Sequence, residues 1–206
     1  MCHVAFLCYW VQKNYTKGHD YMKKYRIVSM ILVVVLLVGS TISASATTFK
    51  LNITAREQEE SNWCWAAVSL MIIDYLHTWS PLPTQSDIVT TLKGSAVNEG
   101  ATPQEMTNVL GWYMVSTTNT STISFSTVKN MLSGWYSPIG TGVAWTNGGA
   151  HAQLIYGYEE NSPYQGLYVI DPWPNTDRRV YYNYDEYKSN TEHVWYQTWY
   201  NNKKKS

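Results

Sequence analysis

From Cys64 onward the apolar positions Ala66, Ala67, Leu70, Met71, Ile73 and Tyr75 crowd every side of a helical wheel. That pattern predicts a central, buried helix rather than an amphipathic surface one. Thr102-Pro103-Gln104-Glu105 reads as a capping box with proline at the first helical position, opening a helix that runs to about Trp112. Shorter helices are predicted at Gln85 to Leu92 and Ser126 to Leu132. Beyond these the period changes, and β-branched and aromatic residues alternate in short blocks separated by Gly, Asn and Pro. Strands are predicted at Gly140 to Trp145, Ala150 to Tyr158, Gly166 to Ile170, Arg179 to Tyr184 and Val194 to Trp199. Helices first and an antiparallel sheet afterwards make an α+β plan, with a cleft between the halves as the natural place for a site.

The N-terminal stretch follows neither pattern. From Met22 the chain gives Lys23, Lys24, Tyr25 and Arg26, then an apolar run from Ile27 to Gly39, then small residues ending in Ala44-Ser45-Ala46. This is the order of an export signal, and the run is too short for the ~20 residues of a spanning helix. Cleavage is expected after Ala46, giving a secreted, extracellular protein with no stable membrane anchor. Residues 1–21 fit neither signal nor core, and Met22 is the better start. Residues 1–46 are therefore set aside as extension and signal peptide. Residues 47–206 remain, enough for one domain with a real core.

Charge and cysteine usage narrow the classes. Upstream of Thr47 lie five of the 15 Lys+Arg residues and one of the 15 acids, which leaves ten bases against fourteen acids. A mildly acidic domain without a basic face argues against nucleic acid as a partner. The basic tail, Lys203 to Lys205, reads as a solvated end. No phosphate loop or cofactor motif is present, and one Cys with three scattered His shows no metal-ligand spacing. Cys2 and Cys8 precede the signal, so Cys64 is alone in the expected mature chain. A lone thiol in an oxidising exterior needs a reason, either burial or chemistry.

Cys64 stands in Ser61-Asn62-Trp63-Cys64-Trp65-Ala66-Ala67, where a polar loop gives way to the apolar helix. The helix N-terminus favours a thiolate, whereas a packing cysteine would sit among the apolar residues further in. A nucleophile needs a base. His77 lies thirteen residues along the same helix, roughly 20 Å away at ~1.5 Å per residue, and reads as a solvent-facing helix end. His193 reads as an exposed turn residue. His151 opens a predicted strand directly after Asn147-Gly148-Gly149 and is well placed to face the cleft. Asp171 ends the apolar strand Leu167 to Ile170 before Pro172 and is the best group to orient His151, with Asp177 and Asp185 weaker. Six residues before Cys64, Gln58 is an amide among acids, able to donate to an oxyanion. Taken alone it reads equally as a solvated surface residue.

Together these residues resemble the papain-like cysteine peptidases. The resemblance rests on Gln58 six residues before Cys64-Trp65, on His151-Ala152 opening an apolar run that ends in Gly157-Tyr158, and on Asp171-Pro172-Trp173. The texture is most similar to short bacterial branches, the C39-like and AvrRpt2-like (C70) groups. The resemblance implies a papain-like α+β fold and a Cys64–His151–Asp171 triad working through a thioester. It further implies an oxyanion site at Gln58 and cleft support from Trp65 and Trp173. Trp63 and Asp171 stand where plant and lysosomal members have Ser and Asn. The short segment before Gln58 predicts no cis-acting prodomain. Two other readings stay open: a transglutaminase-like acyltransferase, and a non-catalytic binding module whose stacking surface is formed by Tyr181, Tyr182, Tyr184, Tyr187, Trp195, Tyr196, Trp199 and Tyr200.

Overall fold

The apolar helix expected after Cys64 forms and lies at the centre of a computed structural model that describes residues 46–161, 163–174 and 178–206. The export signal lies outside the described residues except for Ala46, as does Asp177. Strand β1 (Thr47–Lys50) leads into an extended segment and then α1 (Cys64–Leu76). Every residue of α1 from Trp65 to Ile73 is buried, and each large apolar side chain so buried stabilises the fold by about 1.5–3 kcal/mol. Helices α2 (Gln85–Lys93) and α3 (Pro103–Trp112) pack beside it, each opened by a complete capping box, from Thr84 with Asp87 and from Thr102 with Glu105. Strand β2 (Val115–Thr120) follows, then the short α4 (Phe125–Lys129), which runs on into a π-helical turn, Asn130–Gly134.

The second half is the sheet: β3 (Ile139–Trp145), β4 (Ala150–Asn161), β5 (Tyr164–Ile170), β6 (Arg179–Asn183), the short helix α5 (Tyr184–Lys188) and β7 (His193–Lys204). All pairings are antiparallel, in the order β2-β7-β3-β4-β5-β6. β3 covers β4 from Ala150 to Ile155, and β1 takes over that edge from Gly157 to Glu160. No helix among the described residues is long and apolar enough to cross a membrane.

Several expectations need correction or extension. The basic tail is exposed at Lys203 to Lys205, as expected, but it is also ordered: β7 continues to Lys204, which pairs with Val115, and Lys205 donates its backbone N–H to Met114 O. β1, β2 and α5 were not legible, because their polar sequences pair or dock only in the tertiary fold. His77 does end α1 but is buried, its ring stacked 4.0 Å from that of Trp79. His193 is buried too, with Nε2 3.1 Å from Tyr187 O and Nδ1 3.3 Å from Asn190 Nδ2. In both cases an aromatic or helical neighbour folds over the ring, which local sequence does not foretell. Of the eight aromatic residues that could have formed a stacking surface, Tyr184, Tyr187, Trp195 and Trp199 are core, while Tyr181 and Tyr196 are exposed.

Candidate active site

Cys64 is the first residue of α1, and the residue before it, Trp63, caps the helix without a side-chain hydrogen bond. An N-cap that offers no oxygen leaves the first N–H groups of the helix open. The loop leading to Cys64 is instead fastened from outside. Trp63 Nε1 donates to Val97 O at 2.9 Å and Trp65 Nε1 to Glu99 O at 3.0 Å. Asn62 and Asn98 bind each other's main chain, N–H to Oδ1 at 2.9 Å and Nδ2 to O at 3.1 Å. These bonds tie the start of α1 to residues 97–99, just ahead of the cleft-lining Gly100, Ala101 and Thr102.

The opposite wall is delivered by the β3–β4 hairpin. Gly148 and Gly149 adopt φ of 98° and 88°, a conformation that side chains other than glycine's resist, and the chain turns there to bring His151 in at the second residue of β4. His151 is 6 % exposed and its Nε2 lies 2.7 Å from Asp171 Oδ1. Asp171 follows β5, and its carboxylate also accepts from Trp173 N–H at 2.9 Å and Gln153 Nε2 at 2.8 Å. With Nε2 turned to Asp171, the other ring nitrogen of His151 is left for Cys64, which is close enough to raise the pKa of the imidazole. Trp145 and Trp173 flank the imidazole, at 6.3 Å and 5.9 Å between ring centroids.

Burial pulls the pKa of His151 down, but the hydrogen bonds and charges of Asp171 and Cys64 outweigh it and raise it to about 9. Burial likewise pushes Asp171 up, and the bond and charge of His151, with the Trp173 N–H and Gln153, bring it net below its ordinary value. The signs fix the pH dependence of folding. His151 contributes stability that is fully present below about 6.5 and is lost as pH rises through about 9. Asp171 contributes stability that is present above about 3.8 and is lost as pH falls.

Cys64, Trp65, Trp145, His151, Trp173 and Tyr196 line a cleft of about 910 Å³ between the helical and sheet halves. Gly142 and Ala152, paired across β3 and β4, keep its floor low. Gln58 is buried but does not line the cleft: its Nε2 donates to Glu60 O and Ser61 O, both at 2.9 Å, and Oε1 has no partner. Its backbone N–H binds Pro172 O at 2.8 Å, which joins the loop before Cys64 to the segment after Asp171. The structure thus brings Cys64, His151, Asp171, Trp65 and Trp173 to one cleft and places Gln58 behind the loop. Sequence reasoning missed Gln153, Asn98 and the fastening role of Trp63. Position two residues after His151 on a strand was the available signal for Gln153, and nothing local singled out Asn98. No group of three or more His, Cys, Asp or Glu among the described residues could hold a metal ion.

A thiol at a helix start, across a cleft from an imidazole on an antiparallel sheet, is the arrangement of a papain-like cysteine peptidase. The family described as papain-like cysteine protease AvrRpt2 matches residues 46–192, and the chain belongs to that family. It is a cysteine peptidase. Among solved structures, the chain is similar to a double glycine motif protease from an AMS/PCAT transporter, crystallised in complex with the leader peptide. That similarity stands at 16% identity and a TM-score of 0.49, over 74% of this chain and 94% of that one. No curated protein matches the chain.

Proposed function

We propose that this protein is a secreted, monomeric endopeptidase that hydrolyses protein or peptide substrates through Cys64, His151 and Asp171, without a cofactor. The observation that supports this most strongly is the placement of His151, bonded to Asp171 through Nε2 and sharing one cleft wall-to-wall with Cys64, which acts on its pKa. Against the pull of burial, Asp171 and Cys64 raise the pKa of His151, which takes up the thiol proton and so frees the sulfur to attack. The Cys64 sulfur attacks the scissile carbonyl carbon, and the C=O electron pair moves onto oxygen. The open N–H of Cys64 at the head of α1 donates to that oxyanion. Gln58 becomes the second donor by exchanging Ser61 O for the oxyanion, a trade of a neutral acceptor for a charged one. As the tetrahedral centre collapses, the C–N bond breaks and His151 gives its proton to the leaving amine. Water, deprotonated by His151, then cleaves the thioester and returns the thiol. Asp171 holds the imidazole in the tautomer and orientation that these transfers require.

The test is hydrolysis of denatured casein under reducing conditions by the purified chain, beside Cys64→Ala and beside protein treated with a thiol-directed epoxide. Activity that vanishes in both controls is the expected result. Activity that survives Cys64→Ala would refute the reading. Acyl transfer to an added amine in preference to water would replace it with the transglutaminase-like alternative.

A further inference from the structure

Behind Asp171 the sheet half holds a row of polar side chains, all buried, that the steps above do not use. Gln153 follows His151 by two residues on β4 and so shares its face, and it pairs across with Thr141 of β3. Gln153 Nε2 donates to Asp171 Oδ2 at 2.8 Å, Tyr187 Oη donates to Gln153 Oε1 at 2.9 Å, and Thr141 Oγ1 lies 2.6 Å from Tyr187 Oη. Gln153 is 2 % exposed and the other two are fully buried.

The donor order in this row is determined. Tyr187 has one hydroxyl proton and spends it on Gln153, so Thr141 gives its own proton to the phenol oxygen at 2.6 Å in preference to Gln153 O, its other acceptor within reach at 3.3 Å. Every proton therefore points toward Asp171, and the row ends on a carboxylate. Two consequences follow for the site. The Gln153 amide cannot flip, because its oxygen is claimed by the phenol. The Asp171 carboxylate cannot rotate, because Oδ2 is claimed by Gln153 while Oδ1 is shared by His151 and the Trp173 N–H. Tyr187 is itself held on both sides: its ring packs against Tyr182 and Trp195, and its carbonyl accepts from His193 Nε2. This explains what the buried His193 does.

A glutamine and a phenol hydroxyl cost free energy to bury, and an apolar pair of the same shape would fill the space without that cost. We propose that Gln153, oriented by Tyr187, is a positioning residue that locks the Asp171 carboxylate onto His151 and keeps it an acceptor. The inference rests on the peptidase reading, and its test needs no substrate.

The pH dependence of Cys64 alkylation by iodoacetamide, measured on the whole chain, reports the thiolate–imidazolium pair directly. The titratable groups facing that pair and Asp171 are Tyr182 on β6, Tyr187 on α5 and Tyr196 on β7, with Lys93 and Glu105 lining the same cleft and His193 against the Tyr187 ring. His193, Tyr182 and Tyr196 are common to all variants compared here. Near pH 6, Gln153→Leu is expected to lower the rate about tenfold, and Tyr187→Phe, which keeps the ring packing, about threefold. Gln153→Glu sharpens the test. Its protonated carboxyl still donates to Asp171 and accepts from Tyr187, and the neighbouring carboxylate raises its pKa. Gln153→Glu should therefore match wild type in acid and fall away as pH rises and the proton leaves. Leu and Phe variants that superimpose on wild type would overturn the proposal, as would Gln153→Glu following Gln153→Leu at every pH. A wild-type thiol with only ordinary reactivity would sink the peptidase reading as well. An activated wild-type thiol with unaltered variants sinks this inference alone.

Discussion

The two walls of the cleft are held together by different kinds of bond. On the nucleophile side, Trp63, Trp65, Asn62 and Gln58 all reach main-chain carbonyls. On the base side, His151, Asp171, Gln153, Tyr187 and Thr141 reach one another's side chains, from β3, β4, α5 and the end of β5. A backbone acceptor stays in place whatever happens to its donor, so losing one fastening loosens a loop. In a side-chain row each member is held by the side chain next to it, and losing one leaves a buried polar group unpaired. The helical wall should therefore lose mainly stability when cut, and the sheet wall mainly activity.

Asp171→Ala carries the largest effect expected from this contrast. It leaves both His151 and Gln153 without their acceptor, and kcat should fall by about a hundredfold while the fold persists. A loss of folding with no loss of kcat in the folded fraction would erase the distinction. Gln58→Ala is where the contrast should break. Gln58 belongs to the helical wall, yet as an oxyanion donor its removal should lower kcat by about a hundredfold, with little change in KM. If kcat changes by no more than about threefold, Gln58 only fastens the loop. The smallest effects belong to Trp63→Phe and Trp65→Phe, each of which removes one indole N–H bond and should cost about 1 kcal/mol in denaturant unfolding. Their kcat values should stay within about threefold of wild type, and the residual change should appear in KM as the wall around Gly100 to Thr102 loosens.

How much of this could be read from the sequence follows the same division. The helical half was legible because its signals are local. A capping box at Thr102, an apolar helix and a polar loop ending in Cys64 fix element and start point within a few residues of each other. Cys64, His151 and Asp171 could each be proposed from their own surroundings, since each sits at the end of an element. The fastening of the loop was not legible, because Val97, Glu99 and Asn98 are more than thirty residues from their partners and two of them contribute only backbone oxygen. The base side hid most. Gln153 looks like an ordinary polar residue inside an apolar strand. Tyr187 lies on a five-residue helix that forms only against the sheet, and His193 resembles a turn residue until Tyr187 covers it. The length of β7 was missed for a related reason: its last residues are polar and lysine-rich, and only pairing with β2 makes them a strand.

The claim on which the rest depends is that His151 is held as an imidazolium between Cys64 and Asp171. Its most direct test is an NMR titration of the His151 ring in wild type and in Cys64→Ala. In the wild type the ring should titrate at about 9, and its pKa should fall clearly when the sulfur is removed. A ring that titrates near the ordinary value of about 6.5 in both proteins would contradict it.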